Sequence, residues 1–368
     1  MRAPARLPRW AEFGLLPLVN LCAALLISGA VIRLIGESPW AALRLMVAGA
    51  FGAQDSIGYT LFYATDFVFT GLAVAVAFHA GLFNIGGEGQ AYVGGLGVGL
   101  VCLACGSLSA WVVVPLGIAA GCVFGAAWAL VPAWLQARRG SHIVITTIMA
   151  NFIASALMTY LLVNVLIKPG QQSPETREFG PGAVMPAVDV VLGKMGIRFA
   201  PSPFNLASLL ALAACLLVWV FIWRTRWGYA LRVVGQNPRA AVFAGISPPR
   251  TILVAMLISG GLAGCLGVNE LMGSQHRILL DFPGGAGFVG IAVALMGRNH
   301  PLGILAASLL FGALYQGGSE LSFDMPHVNR DMVVMIQGLV ILFCGALEGV
   351  FRAPLAVLLG ARDGEEKT

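Results

Sequence analysis

The sequence predicts an all-α membrane protein of about ten spanning helices. Three observations carry that prediction. Of the 368 residues, 58% are apolar and only 11% charged, where a soluble domain has about 25% charged. Forty-seven glycines sit in this apolar background, a composition that suits closely packed membrane helices. The apolar residues also fall into runs of about 20, the length that crosses a bilayer. Such a chain has too little polar surface for a cytosolic enzyme, and it is neither a disordered chain nor a secreted disulfide scaffold.

Taken in order, Gly14–Ile32 is the first span. Pro39–Phe51 is short and amphipathic, with Arg44 among Trp40, Leu43, Leu45 and Met46, and reads as interfacial. Further spans are Tyr63–Ala80, Glu88–Cys105, Ala110–Leu135, Ile143–Leu166, Asn205–Trp223 and Thr251–Met272. Two short ones follow, Gly287–Met296 and Leu302–Tyr315, flanking Arg298, His300 and Pro301, so they read as broken or partly re-entrant. Met332–Val350 is the last. Met1–Trp10 has the basic flank of a leader, but the first span lacks a small-residue cleavage site and reads as a retained helix.

Basic residues orient the chain. An even number of spans places both termini on one side with 14 of the 22 lysines and arginines, leaving eight on the other. Segment 224–250 alone carries five arginines and no acid. By the positive-inside rule that side is cytoplasmic. The domain plan is then a cytoplasmic N-terminus at 1–13, a transmembrane body at 14–350 and a cytoplasmic tail at 351–368. A proline-rich loop at 168–204 lies on the outer side. It reads equally well as a solvated cap and as a docking surface. The net charge of +5 is spent on topology, so no nucleic-acid partner is expected.

The signatures of catalysis are missing. There is no G-x-x-x-x-G-K-[ST], no H-E-x-x-H and no G-x-S-x-G. The five histidines are scattered, and the seven cysteines sit in apolar stretches without metal-site spacing. The expectation is a chain that is not an enzyme, binds no metal and carries no cofactor of its own.

Two segments stand out. Ala80–Gln90, AGLFNIGGEGQ, interrupts an apolar run with glycines, amides and a carboxylate. Irregular backbone at membrane depth is tolerated where it is buried or lines a cavity. Phe83, Asn84, Glu88, Gln90 and Tyr92 are therefore candidates to line a translocation path, the polar ones by hydrogen bonding and the rings by contact with an apolar or ring-shaped solute. For Glu88 the favoured role is to cap the helix that follows it. The second segment, Arg224–Arg250, holds two short helices, Tyr229–Val234 and Pro238–Ala244, split by Gly235-Gln236-Asn237. Asn237 before Pro238 reads as an N-cap with proline at the first helical position. A capped helix is more than a topology signal needs, so the loop reads as a docking element for a cytoplasmic partner.

Smaller signals complete the reading. Gly117, Gly121 and Gly125, with Gly260 and Gly264, provide small faces for close helix packing. Pro115–Ile118 before Phe124–Ala126 is echoed by Pro301–Ile304 before Phe311–Ala313, a faint inverted repeat. Asp66, Glu270 and Glu348 fall near span ends, leaving the central bilayer short of ionisable groups. That argues mildly against an ion-coupled carrier.

GLFNIGGEGQ at 81–90, LRVVGQNPRAAVFAGI at 231–246 and GFVGIAVALMG at 287–297 resemble the permease subunits of ATP-binding-cassette importers. The branch is the branched-chain amino acid and monosaccharide superfamily, and the likeness runs over roughly residues 60–350. Residues 84–90 are similar to the nucleoside-type permeases rather than to the Gly-Gly-Ile-Asp-Leu-Ser type of the sugar permeases. Gly87 departs from the Val or Ala more usual there. The N-terminal piece and the outer loop resemble the larger of two paired permeases.

The resemblance implies a type II-like importer fold and a route for nucleoside uptake in the bacterial inner membrane. It implies a cytoplasmic ATPase that hydrolyses the ATP and docks at Arg232, Gly235, Gln236, Asn237, Ala240 and Gly245. It also implies a second permease subunit, a periplasmic or lipoprotein substrate-binding protein, and surrounding membrane lipid. A permease for a monosaccharide or other small polar solute is the alternative within the class. An ion-coupled secondary carrier is the alternative outside it, and an intramembrane enzyme has no supporting constellation.

Overall fold

A computed structural model describes residues 8, 11, 15–325, 327–328, 330–343 and 354–355. Two compact units divide the chain, Met1–Gly52 with Leu314–Thr368, and Ala53–Ala313. The first unit contains α1 (Leu16–Leu34) and α2 (Pro39–Phe51), which meet at a 120° bend. Ser38 caps α2 by accepting from Ala41 N, and Pro39 opens the helix. The charged end of this unit is tied by His327 Nδ1 to Glu37 Oε1 at 2.9 Å.

The second unit is built on α3 (Gln54–His79) and α4 (Gly87–Cys105). Next come α5 (Ala110–Trp134), which ends in a π-helical turn at Leu135–Arg139, and α6 (Ile143–Asn164). The outer loop follows and carries α7 (Val188–Lys194). Beyond it lie α8 (Ala207–Arg224), α9 (Arg226–Gln236), α10 (Pro238–Phe243) and α11 (Pro248–Gly264). A π-helical turn at Val268–Gln275, then α12 (Ala286–Met296) and α13 (Pro301–Asp324), lead to α14 (Arg330–Ile341).

Seven helices among the described residues are long and apolar enough to cross a membrane, or eight if the bent pair α1–α2 counts as one. The expected ten are therefore not reproduced by length and composition. The 11 residues of α12 are too few to span alone. Part of the expected span 332–350, with Cys344 and Glu348, lies outside the described residues, as do most of 1–13 and 351–368.

α3 is the central helix. Its most apolar window is 83% buried, against 22% for α5 and α6, whose outer faces are left for hydrocarbon. It also starts nine residues before the expected Tyr63. Its first turns are polar, but they pack under the outer loop, where Gln54 Oε1 accepts from Ala200 N and Gly58 sits against Ser202. This corrects the placing of Asp66, which lies at the middle of α3 rather than near a span end. Glu270 is likewise inside the fold, 9% exposed.

Glycine decides how α4, α5 and α11 meet. A Cβ on Gly121 would fall 2.9 Å from Gly264 O, and Gly125 faces Gly260 O in the same way. Gly94 of α4 completes the contact against Gly264. The small-residue faces read from the sequence are thus backbone-to-backbone contacts. They also bring Cys122 Sγ and Cys265 Sγ to 3.4 Å. The loop at 168–204 is pinned to the rest of the second unit. Arg277 bridges Glu175 and Glu178 at 3.0 and 3.1 Å, and Phe179 N donates to His276 O.

Candidate functional site

Two interrupted helices meet in the second unit. The first interruption, residues 80–86, separates α3 from α4 and includes Gly81 at φ +73°. The second, 276–285, separates the π turn from α12, with His276, Asp281, Gly284 and Gly285 all at positive φ. Each break ends at a helix N-terminus, where backbone N–H groups lack partners.

Glu88 joins the two. Its Oε1 accepts from Gly285 N at 2.9 Å and its Oε2 from Gly287 N at 2.8 Å. It does act as a cap, as its charge and position suggested, but the helix it caps is α12 and not its own α4. Gly285, the residue that precedes α12, has no side chain with which to cap it. Gly287 must be glycine-sized here, because a Cβ would run into the backbone of Gly87 and Glu88.

The other residues of the first segment hold the break in shape. Asn84 and Gln90 form a reciprocal amide pair, Nδ2 to Oε1 at 2.9 Å and Nε2 to Oδ1 at 3.2 Å. Asn84 also donates to Ser259 Oγ and accepts from Gly86 N, both at 2.9 Å. Ser259 Oγ in turn donates to Ala73 O at 2.6 Å. From α6, Asn151 Oδ1 accepts from Gly89 N and its Nδ2 donates to Ile85 O, each at 2.9 Å. These bonds satisfy the backbone that the missing helical turn leaves open.

Tyr92 is buried, accepts from Asp281 N at 2.5 Å and meets Phe282 edge-on at 5.3 Å. Phe83 is half-buried, edge-on to Phe78 at 5.6 Å. Of the five path candidates, Phe83 and Glu88 keep some exposure, while Asn84, Gln90 and Tyr92 are enclosed. Asn151 was visible in the sequence as a lone amide in an apolar run. Ser259 was not, because a serine between apolar helices gives no signal of its partner.

The second segment has the form the sequence predicts. Asn237 Oδ1 accepts from Arg239 N at 3.0 Å and Ala240 N at 3.1 Å, with Pro238 opening α10. α9 runs longer than expected, from Arg226 through Gly235 and Gln236, and is started by Thr225 accepting from Gly228 N. Gln236, Asn237 and Ala240 are exposed, and Gly245 turns the chain at φ +73°. Arg232 and Gly235 are half-buried at the base. Gly235 packs on the first break: a Cβ on Gly81 would sit 3.1 Å from Gly235 Cα. At the tip, Val242 is 60% and Phe243 94% exposed. Reading by capping and charge missed Phe243, since one aromatic in a short helix looks like packing.

Two ring contacts deepen this link. His79, the last residue of α3, lies edge-on to Trp223 at 5.3 Å, and Trp223 lies 5.1 Å from His300. The last residue of α3 and the turn between α12 and α13 thus share one aromatic neighbour.

A family profile described as branched-chain amino acid transport system / permease component matches residues 56–345. A glucose ABC transporter permease of Haloferax volcanii is 34% identical over 91% of this chain and 88% of its own length. A guanosine ABC transporter permease of Bacillus subtilis is 33% identical over 89% and 92%. A nucleoside ABC transporter permease of Lactococcus lactis subsp. cremoris is 31% identical over 89% and 90%. All three motifs singled out in the sequence fall inside the matched region. With its apolar spanning helices, interrupted spans and capped connecting helix, the chain is a multi-pass membrane protein and belongs to the permease component family of branched-chain amino acid transport systems, as an ATP-binding-cassette transporter permease.

Proposed function

We propose that this chain is the larger permease subunit of an ATP-driven nucleoside importer, in the type II-like arrangement, seated in a bacterial inner membrane with both termini cytoplasmic. The observation that carries the mechanism is the contact of Gly235 with Gly81. It joins a bare, capped helix to the root of a broken one. An ATPase docked on Gln236, Asn237, Ala240, Gly245 and the exposed Phe243 would push on α9, with Arg232 and Gly235 at its base. That displacement reaches the 80–86 break without an intervening side chain.

The route for the solute runs past the paired helix starts at Glu88 and Gly287, with Phe83 and Glu88 on its border. Asn84, Gln90 and Tyr92 shape the break behind them. A second permease supplies the opposite wall, and a periplasmic or lipoprotein binding protein delivers the solute. ATP is hydrolysed by the partner, and lipid covers the outer faces of α5 and α6. The nucleoside assignment is supported by NIGGEGQ at 84–90 and by the two nucleoside-type relatives. A sugar is the second reading, favoured by the glucose relative.

The test is uptake by cells carrying the full transporter, in competition with excess uridine, guanosine, ribose or glucose. Competition by a nucleoside and not by free sugar supports the first reading, and the reverse supports the second. For docking, the tagged chain is purified with its partners. Phe243→Asp is expected to lose the ATPase from the complex while the permease still reaches the membrane. Unchanged co-purification and uptake would remove the docking assignment.

A further inference from the structure

Asp66 and Glu270 take no part in the site described above. Asp66 stands at the middle of α3, and Glu270 on the π-helical turn that ends the α11 span. π turns are rare and often mark functional positions. The two carboxyl groups lie within hydrogen-bonding reach of each other. Asn269 reaches Asp66, and Gln275 reaches Glu270. Asn269 is itself fixed, donating to Phe62 O at 3.2 Å and accepting from Asn205 Nδ2 at 2.9 Å. Asn205 in turn holds Pro203 O and Ala207 N. Asp66 is 2% exposed and Glu270 9%. Oδ1 of Asp66 is sealed from solvent and has no hydrogen-bond partner.

Among the described residues, the elements packed against α3 place no lysine or arginine at this point. α12 carries no titratable side chain. Glu88 of α4 is held by Gly285 and Gly287. Arg224 of α8 and Arg232 of α9 lie by the His79 end of α3, about 20 Å away along a helix rising 1.5 Å per residue. Arg250 opens α11, some 20 residues before Glu270 and about 30 Å from it. Two carboxylates in contact inside a membrane do not both remain charged without a counter-charge.

We propose that Asp66 and Glu270, oriented by Asn269 and Gln275, bind one monovalent cation within the membrane, either a proton or an alkali ion. The sealed, unpartnered Oδ1 offers an acceptor to such a particle and is closed to a solute of nucleoside size. A divalent ion takes six or more oxygen ligands, usually with several carboxylates, and no group of three or more His, Cys, Asp or Glu exists among the described residues. The site ties α3 to the π turn, so its occupancy is linked to how those two segments sit. This inference is independent of the docking reading and of the solute.

The experiment uses the purified complex of the full chain with its co-purifying partners. Its thermal midpoint is followed against sodium, replaced by choline at constant ionic strength, and separately against pH. The wild type is compared with Asp66→Asn, Glu270→Gln and the double variant. Binding of an ion to the folded state raises the midpoint by mass action. A sodium-dependent rise of at least about 3 °C that disappears in Asp66→Asn identifies the alkali ion. A pH-dependent change, insensitive to sodium and removed in the double variant, identifies the proton. Equal sodium and pH responses in wild type and variants overturn the proposal. If the variants do not assemble, infrared spectra of the wild type decide. A carboxylic C=O band that exchanges slowly with deuterium marks the proton, and carboxylate bands that move with sodium mark the ion. A wild type with neither also overturns the proposal.

Discussion

Gly81 and Gly235 touch backbone to backbone: a Cβ on Gly81 would lie 3.1 Å from both Cα and O of Gly235. Gly81 also needs its φ of +73° to leave α3, a conformation that costs other residues about 1–2 kcal/mol. Gly81→Ala therefore combines strain with a tight contact. Gly235→Val would drive branched carbons into His79 O and Gly81 N, and overpacking of this kind typically costs about 1–3 kcal/mol. Both variants are expected to lower uptake at least about tenfold, the effect of 1.4 kcal/mol, while the ATPase stays bound. Vesicle uptake measured beside co-purification checks this. Normal uptake by Gly235→Val would show that the contact transmits nothing.

Glu88 is expected to matter for stability as well as transport. Glu88→Ala leaves Gly285 N and Gly287 N without acceptors, each worth about 1–3 kcal/mol when buried. Glu88→Gln keeps one acceptor and gives a smaller loss. The ranking wild type, Gln, Ala in the thermal midpoint of the purified complex is the expected result. A midpoint unmoved by Ala would mean that water replaces the carboxylate.

Asn237→Ala removes the cap of α10 and costs about 1 kcal/mol locally. Asp and Ser can accept the same N–H bonds and should restore uptake, whereas Ala should not. If all three behave alike, the cap is dispensable for coupling.

Asn84→Ala strips the break of its acceptor for Gly86 N and its donor to Gln90 and Ser259. The expected cost is about 2–4 kcal/mol, from unsatisfied buried groups and the space left behind. Asn84→Asp keeps the volume but loses the donor, so it should also destabilise. Protease sensitivity of the reconstituted complex reports either change.

His276 lies beyond the last turn of the α11 span, and burial lowers its pKa below the ordinary histidine value. Its neutral form is thus the folded form, and the unfolded chain takes the proton first. The stability it contributes is complete above the ordinary value of about 6.5 and is lost as pH falls below it. His276→Asn, a residue that tolerates the positive φ of 54° at this position, should flatten that acid loss in the thermal midpoint. An unchanged slope would assign it to other groups.

The sequence was most legible where local chemistry acts alone. Asn237-Pro238 announces a helix start, and the structure has the cap there. The spacing of Gly117, Gly121 and Gly125 announces a packing face, though not that Gly260 and Gly264 complete it. What stayed hidden depends on distant partners. The carboxylate of Glu88 meets N–H groups almost 200 residues away. Asp66 looked terminal because hydropathy stops at Tyr63, whereas packing under the outer loop carries the helix on to Gln54. Phe243 gave no signal in the sequence, and only its exposure in the fold marks it.

The glycine seam of α4, α5 and α11 has a genetic consequence. At Gly94, Gly121, Gly125, Gly260 and Gly264 the facing atoms are largely main chain, which no compensating side-chain change can pull back. Saturation mutagenesis should therefore reveal a line of positions that reject even alanine, running through this buried seam, while exposed Leu and Val on the outer face of α5 exchange freely. Second-site suppressors of such alleles should arise seldom along that line, and drift within the family should flow around it.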